Sequence, residues 1–246
     1  MKLLELLKLK YRANKYKTRN DVGEIAYIES VLKPGQVVLD IGAHKAGYLY
    51  LMLQQVGKSG AVYAFEPQSR LHQYITRLKK LLQWDNVTVE HLALSDKEGS
   101  VTLFIPAAKG KFTSPGATIA PNGQKEYGIK EEVCTETLDS YCSRYNIRPN
   151  FLKIDVEGNE LRVFKGGEQT LLAHHPAIIF ECEARHIGEE QVRETFQYLR
   201  HLGYNGYFIC GTEKRDLSLF EFRKHQVEGQ KPYCNNFIFE KAVMLA

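Results

Sequence analysis

The chain lacks any apolar run approaching the roughly 20 residues that a membrane-spanning helix needs. It also lacks paired cysteines. Cys134, Cys142, Cys182, Cys210 and Cys234 are odd in number and widely spaced, with no CxxC among them. This argues against a disulfide framework or a structural zinc site and fits reduced thiols. There is no internal repeat and no low-complexity linker. With 43% hydrophobic and 25% charged residues, the chain falls outside the collagen-like, disordered and coiled-coil classes. The opening stretch MKLLELLKLKYRANKYK is broken by charge every few residues and has no small-residue cleavage site, so it does not read as a secretory signal. A cytoplasmic protein is expected.

The formal charge of +4 is unevenly spread. Residues 1–20 hold seven Lys or Arg against one acid, Glu5, leaving the other 226 slightly acidic. The body therefore gives no reason to expect a nucleic-acid partner. Leu3, Leu4, Leu6, Leu7 and Leu9 alternate with lysines and form an amphipathic helix. Such a helix either touches a membrane surface weakly or, more simply, caps the domain edge with its lysines in water. The expected organisation is a basic helical extension over 1–30 and a single domain over 31–246.

Short apolar runs alternate with helical patterns. Val37 to Ile41, Ala61 to Phe65, Val87 to Val89, Phe151 to Ile154, Ala177 to Phe180, Gly206 to Cys210 and Asn236 to Phe239 read as strands. Val101 to Ile105 and Val133 to Thr135 read as extra edge strands. Leu49, Met52, Leu53 and Val56 form a helical stripe, as do Leu71, Ile75, Leu78 and Leu82 and then Val192, Phe196 and Leu199; one helix is expected to carry Leu161 through Leu172. Continuous apolar strands interleaved with helices indicate an α/β, doubly wound, mostly parallel seven-stranded sheet of Rossmann-like form. Ligands of such sheets sit at the carboxyl ends of the strands, where strand order reverses.

Polar residues cluster at those ends. The first turn, Asp40-Ile41-Gly42-Ala43-His44-Lys45-Ala46-Gly47, has glycines where a ligand could approach but no GxGxxG. An acid such as Asp40 would repel a diphosphate and attract an ammonium group. Glu66 ends the second strand, where a carboxylate can accept both hydroxyls of a ribose. A ligand with an amine and a ribose but no diphosphate suggests S-adenosylmethionine. A NAD-type site also uses an acid at the second position. The third cluster is Lys153-Ile154-Asp155-Val156-Glu157-Gly158-Asn159-Glu160 and the fourth Glu181-Cys182-Glu183-Ala184-Arg185-His186. Helix macrodipoles account for one or two of these acids, while Asp155 is expected at a strand tip over the pocket.

The segments DIGAHKAG, AFEPQ, HLALSD, FLKIDVEGNE with KGGEQTLL, and ECEARH, in that order, resemble the FkbM-type S-adenosylmethionine-dependent methyltransferases. The resemblance spans roughly Val37 to Phe239 and is most specific in KIDVEGNE. It implies the class I methyltransferase sheet, with a final antiparallel strand, and O-methylation of a sugar, glycan or other small-molecule hydroxyl. It also implies a cofactor loop of Asp40, Gly42, Ala43 and His44, with Glu66 at the ribose and Ala93, Ser95 and Asp96 at the adenine edge. Asp155 and Glu157 would lie nearest the transferred methyl. His44 stands where the family usually has Asn, which would let it face the substrate.

Methyl transfer to a hydroxyl requires in-line alignment and removal of a proton. His186, Asp155 and His44 are the candidate bases, Glu157 a further catalytic acid, and Glu183 and Arg185 the groups to position the acceptor. No metal is expected, although Asp155, Glu157 and Glu183 could supply hard oxygen ligands. Two other readings are an inactive S-adenosylmethionine-binding module and a NAD-dependent oxidoreductase. The loops over Pro106 to Gly128 and Gly211 to Cys234 are longer than ordinary connections and are expected to act as lids.

Overall fold

A computed structural model describes residues 2–106, 116–119 and 127–242. The chain begins with helix α1 (Lys2–Lys15), a π-helical turn (Tyr16–Asn20) and α2 (Val22–Val31). Then follow β1 (Val37–Ile41), α3 (Gly47–Val56), β2 (Ala61–Phe65), α4 (Ser69–Leu82), β3 (Val87–Glu90), β4 (Ala93–Leu94), β5 (Gly99–Pro106), β6 (Tyr127–Glu136) and α5 (Leu138–Tyr145). The second half comprises β7 (Phe151–Ile154), α6 (Glu160–Lys165), α7 (Glu168–His174), β8 (Ala177–Glu181), α8 (Ala184–Ile187), α9 (Glu189–His201), β9 (Tyr204–Cys210), β10 (Glu213–Asp216), α10 (Phe222–His225) and β11 (Asn236–Lys241).

The main sheet runs β10-β9-β11-β8-β7-β1-β2-β3. β3, β2, β1, β7 and β8 are parallel, whereas β11 is antiparallel to both β8 and β9. The chain walks outward from β1 to β3 and returns on β1's other side as β7, so strand order reverses between β1 and β7. That is where a doubly wound sheet opens its ligand crevice. Strand parity divides the core. Leu39, Ile41, Leu152, Ile154 and Phe180 pack on one face with α5, α6, α7 and α9. Val38, Phe151 and Ile179 pack on the other with α1, α2, α3 and α4.

Four features differ from the sequence expectation. The sheet has eight strands, because the exposed Glu213–Asp216 segment pairs antiparallel with β9; it carries no apolar alternation from which to read a strand. Ala93–Leu94, Gly99–Pro106 and Tyr127–Glu136 form a separate three-stranded sheet, not edges of the main one. The single helix expected over Leu161 to Leu172 is two, broken at Gly166 and Gly167. A Cβ on Gly166 would lie 2.1 Å from the Ser95 carbonyl oxygen, and one on Gly167 would lie 2.6 Å from Leu138. The loop expected over Gly211 to Cys234 is largely structured, holding β10, a short 3₁₀ turn and α10. Most of the Pro106 to Gly128 segment, including Lys109, Lys111, Thr113 and Ser114, lies outside the described residues.

The leucines of α1 divide between two faces. Leu9 and Ala13 are buried in the core shared with α3, while Leu3, Leu4 and Leu7 face outward. Replacing Leu9 by Ala should therefore cost about 2–5 kcal/mol of stability, as for a core leucine. Chemical denaturation measures this, and an unchanged midpoint would mean that α1 does not contribute to the core.

Candidate active site at the sheet switch point

The ends of β1, β2 and β7 are tied together by backbone contacts. Gly42 and Ala43 donate their N–H groups to the Phe65 carbonyl at 3.0 and 3.1 Å, and Asp155 N–H donates to the Ile41 carbonyl at 2.9 Å. Gly42 has φ of +87°, and a Cβ there would sit 1.9 Å from the Asp155 carbonyl oxygen, so only glycine fits this approach. His44 and Ala46 also adopt left-handed backbone, φ +48° and +60°, an uncommon cost for residues with a Cβ and one that clusters at functional sites. The turn presents the His44 N–H to Glu66 Oε2 at 2.7 Å, while the Gln68 N–H donates to Oε1 at 2.9 Å. Glu66 is thus fixed by one backbone donor on each oxygen. Burial pushes its carboxyl up to about 8.

Asp40 and Lys153 are cross-strand neighbours on the α1–α4 face of the sheet. The Lys153 ammonium lies 3.8 Å from Asp40 Oδ1 and 3.4 Å from Asp155 Oδ2, and donates to the Gly42 carbonyl at 3.1 Å. Burial alone would lower its pKa, but the charges of Asp155 and Asp40 outweigh that and raise it. Burial in turn pushes Asp40 up to about 6.

Two clefts open at this point. The first, of about 650 Å³, is walled by Leu92, Ala93, Leu94, Leu103, Ala117 and Ile119, with Glu66, Gln68, Glu157 and Asn159 as polar groups. The second, of about 880 Å³, is lined by Tyr16, Asp21, Tyr48, Lys153, Glu181 and Asn236 among others. Gly42, His44 and Asp155 line both and form the seam between them. His44 is half-buried at the seam, its Nε2 without a protein partner among the described residues. Burial lowers its pKa to about 4, so it is a neutral imidazole at neutral pH.

The fourth cluster is mostly structural. Glu183 is buried, and its carboxylate takes hydrogen bonds from the Tyr233 hydroxyl (2.5 Å), Asn235 Nδ2 (3.2 Å) and Arg185 Nη2 (2.9 Å), with Arg185 Nε in contact as well. Burial pushes Glu183 upward, but hydrogen bonds from Glu181, Arg185 and Tyr233 bring it down to about 2. Glu181 is raised by burial and then by the charge of Asp155, and its carboxyl is hydrogen-bonded with that of Glu183. His186 Nδ1 stands 3.5 Å from Glu157 Oε2.

The structure therefore brings Gly42, His44, Glu66, Ala93, Asp155 and Glu157 to the first cleft and Ala43 to the second. Other expected site residues lie elsewhere. Asp40 is fully buried and lines neither cavity, because strand alternation turns it toward Lys153. Ser95 and Asp96 line neither cleft either. The Ser95 N–H is spent on the Glu136 carbonyl and its hydroxyl donates to Asp96 Oδ1. Glu183 and Arg185 are committed to each other, which also removes Glu183 from the metal-ligand set considered with Asp155 and Glu157. Among the described residues, no group of three or more His, Cys, Asp or Glu is placed to hold a metal ion. His186 lines neither cleft.

Lys153 and Glu181 belong to the expected clusters but were assigned no role, and Tyr16, Asp21 and Tyr48 were not expected at the site. Strand parity carries a signal for the first two: Asp40, Lys153, Ile179 and Glu181 all fall on the same face. Tyr16 and Asp21 come from the N-terminal segment, to which no motif points. Thr118, also unforeseen, straps the small sheet over the first cleft. Its backbone pairs with Phe104 and its hydroxyl donates to the Glu157 carbonyl at 2.8 Å.

The family model described as Methyltransferase FkbM domain matches residues 40–205. The chain belongs to the FkbM methyltransferase family. No curated protein matches the sequence. Among solved structures it is similar to Methyltransferase FkbM from Methylobacillus flagellatus KT, with a TM-score of 0.54 at 14% identity over 93% of this chain and 53% of that one. It is also similar to a SAM-dependent methyltransferase from Aquifex aeolicus (TM-score 0.48, 16% identity, 96% and 97% coverage). A third is an rRNA methylase from Streptococcus thermophilus (0.49, 8%, 89% and 95%). At 14% identity the likeness to the M. flagellatus structure shows the fold alone, an α/β fold around a mostly parallel sheet. This chain spans about half the length of the M. flagellatus protein.

The buried carboxyls set a pH dependence. Glu66, with an ordinary value of 4.5, is raised to about 8, and Glu160 to about 7, both through burial. The folded state therefore binds protons that the unfolded chain releases, and stability falls as pH rises from 4.5 through about 8. Thermal melts across that window should show a declining Tm, and Glu66→Gln should flatten the decline by a few degrees. A Tm that rises steadily to pH 8 in the wild type would contradict the assignment.

Proposed function

We propose that this protein transfers a methyl group from S-adenosylmethionine to the hydroxyl oxygen of a small-molecule or glycan acceptor. The supporting observation is the pair of clefts that meet only at Gly42, His44 and Asp155. One cleft suits an adenosyl group and the other an acceptor, with a carboxylate at the seam.

The first cleft fits the cofactor on several counts. Its walls are apolar, as an adenine ring requires, and Glu66 is immobilised by the backbone of both flanking turns, ready to accept a ribose diol. Asn159 Nδ2 donates to the Leu94 carbonyl at 3.1 Å, and its buried Oδ1 has no protein partner among the described residues, leaving an acceptor for an exocyclic amine. The bound cofactor supplies an electrophilic methyl on a sulfonium. The absence of GxGxxG and the acids at all three strand ends disfavour a dinucleotide diphosphate.

Asp155 is the proton acceptor in this reading. It belongs to both clefts, whereas His186 belongs to neither. Lys153 holds the Asp155 carboxylate in place from below, and the small sheet with Thr118 excludes water from above. The second cleft sets Asp21 and Asp155 beside Lys45 and Lys153, and burial disfavours the charged form of Glu181; this near balance of charge suits an uncharged polyol.

The test is turnover, read as S-adenosylhomocysteine released with a panel of sugars, glycans and polyols. Asp155→Asn should lower kcat by about 10²- to 10⁴-fold while S-adenosylhomocysteine still binds. His186→Ala should lower it far less. Wild-type turnover in Asp155→Asn would overturn the assignment of the base. Absence of methylation in the wild type with retained cofactor binding would favour an inactive binding module.

The N-terminal segment supplies part of the acceptor wall. Tyr16 packs against Tyr48 in a tilted ring pair with centroids 5.4 Å apart and occupies the space above Gly47, where a Cβ would lie 2.2 Å from its ring. Tyr16→Ala should raise the acceptor KM about tenfold, equivalent to about 1.4 kcal/mol, without changing cofactor affinity. A change confined to the cofactor's Kd would place Tyr16 on the other side of the reaction.

A further inference from the structure

Helix α1 has two apolar rows, and the core uses only one. Glu5, Leu9 and Ala13, at i, i+4 and i+8, turn inward. Leu3, Leu7 and Tyr11 repeat the spacing on the opposite side, 69%, 54% and 70% exposed, with Leu4 beside them at 56%. These are four of the seven large hydrophobic residues left exposed among the described residues. An apolar row of this length in water needs a reason.

The charge around that row is of one sign. Lys8, Lys10 and Lys15 are exposed along its margins. The sole acid of the helix, Glu5, is buried and paired with Lys8 at 3.1 Å, so no carboxylate stands beside the leucines. Lys2 Nζ reaches Gln83 at 3.0 Å, which joins the start of α1 to the end of α4. Lys79 and Lys80 in the last turn of α4 carry the positive charge past the helix terminus. An apolar ridge bordered by lysines is the pattern of a helix lying in the interface of an anionic bilayer, leucines in the acyl boundary and ammonium groups at the headgroups. A second copy of this chain would present the same lysines and repel.

We propose that the outer face of α1 docks the protein on membranes containing anionic lipids. The helix runs directly into the turn that carries Tyr16, so docking orients the second cleft with respect to the bilayer. The proposal is independent of the methyl-transfer chemistry and survives if that reading fails.

The test is co-sedimentation of the full chain with vesicles of phosphatidylcholine alone and vesicles in which phosphatidylglycerol replaces part of it. Binding is expected only to the second kind and should weaken as salt is added. Leu3→Asp with Leu7→Asp, and separately Lys10→Glu with Lys15→Glu, should each reduce it by about tenfold or more. These residues are exposed, so circular dichroism and Tm should match the wild type. Equal binding to both vesicle types, no binding to either, or unaltered binding by the variants would overturn the proposal. So would a dimer in sedimentation equilibrium that Leu7→Asp abolishes, because the face would then be covered by a second copy.

Discussion

The site depends on one close approach, that of the Gly42 backbone to the Asp155 carbonyl at the neighbouring ends of β1 and β7. There is no room between them for a methyl group. The approach is fixed by Asp155 N–H on the Ile41 carbonyl and by the buried Lys153 ammonium on the Gly42 carbonyl. It brings three separate chain turns within hydrogen-bonding distance and makes one seam out of two clefts. Loss of the glycine would both strain a left-handed backbone position and force β1 from β7, so the site and the sheet would open together.

The electrostatics follow from that packing. Lys153 sits among Asp40, Asp155 and the Gly42 carbonyl, a buried cation with compensating partners on two strands and a loop. Asp40 works from beneath: it offsets the charge that holds the seam. Among the described residues Glu66 and Glu181 differ from it in having no cation within salt-bridge distance, and feel Lys153 only from further away. Both are shifted upward by burial, one held by two amides and the other hydrogen-bonded with Glu183.

Much of the fold was legible because burial on both faces writes continuous apolar strands, and the interleaved helices write a period of 3.6. The order of the motifs located the three strand ends, and so Gly42, Glu66 and Asp155. Parity was the information left unused. Residues alternating along β1, β7 and β8 decide which acids look into a cleft, and it turns Asp40 away while bringing Lys153 and Glu181 in. ECEARH looked like a catalytic cluster because four titratable groups share six positions, yet Glu183 and Arg185 neutralise each other and anchor Tyr233 and Asn235. Long-range partners of that kind, fifty residues apart, leave no local trace. The break between α6 and α7 was written in Gly166 and Gly167, but its reason, contact with Ser95 and Leu138, lies in distant chain. The contribution of Tyr16 and Asp21 was equally invisible, since the N-terminal helix shows only its amphipathic pattern and not what it covers.

The central claim is that the cleft beside Glu66 receives an adenosyl group through its ribose diol. Calorimetric titration with S-adenosylhomocysteine tests it most directly. The account predicts one site per chain in the wild type and, in Glu66→Ala, an affinity loss of about 10- to 100-fold, the scale of losing both hydrogen bonds to the diol. No heat of binding in the wild type, or equal affinity in the two proteins, would contradict it.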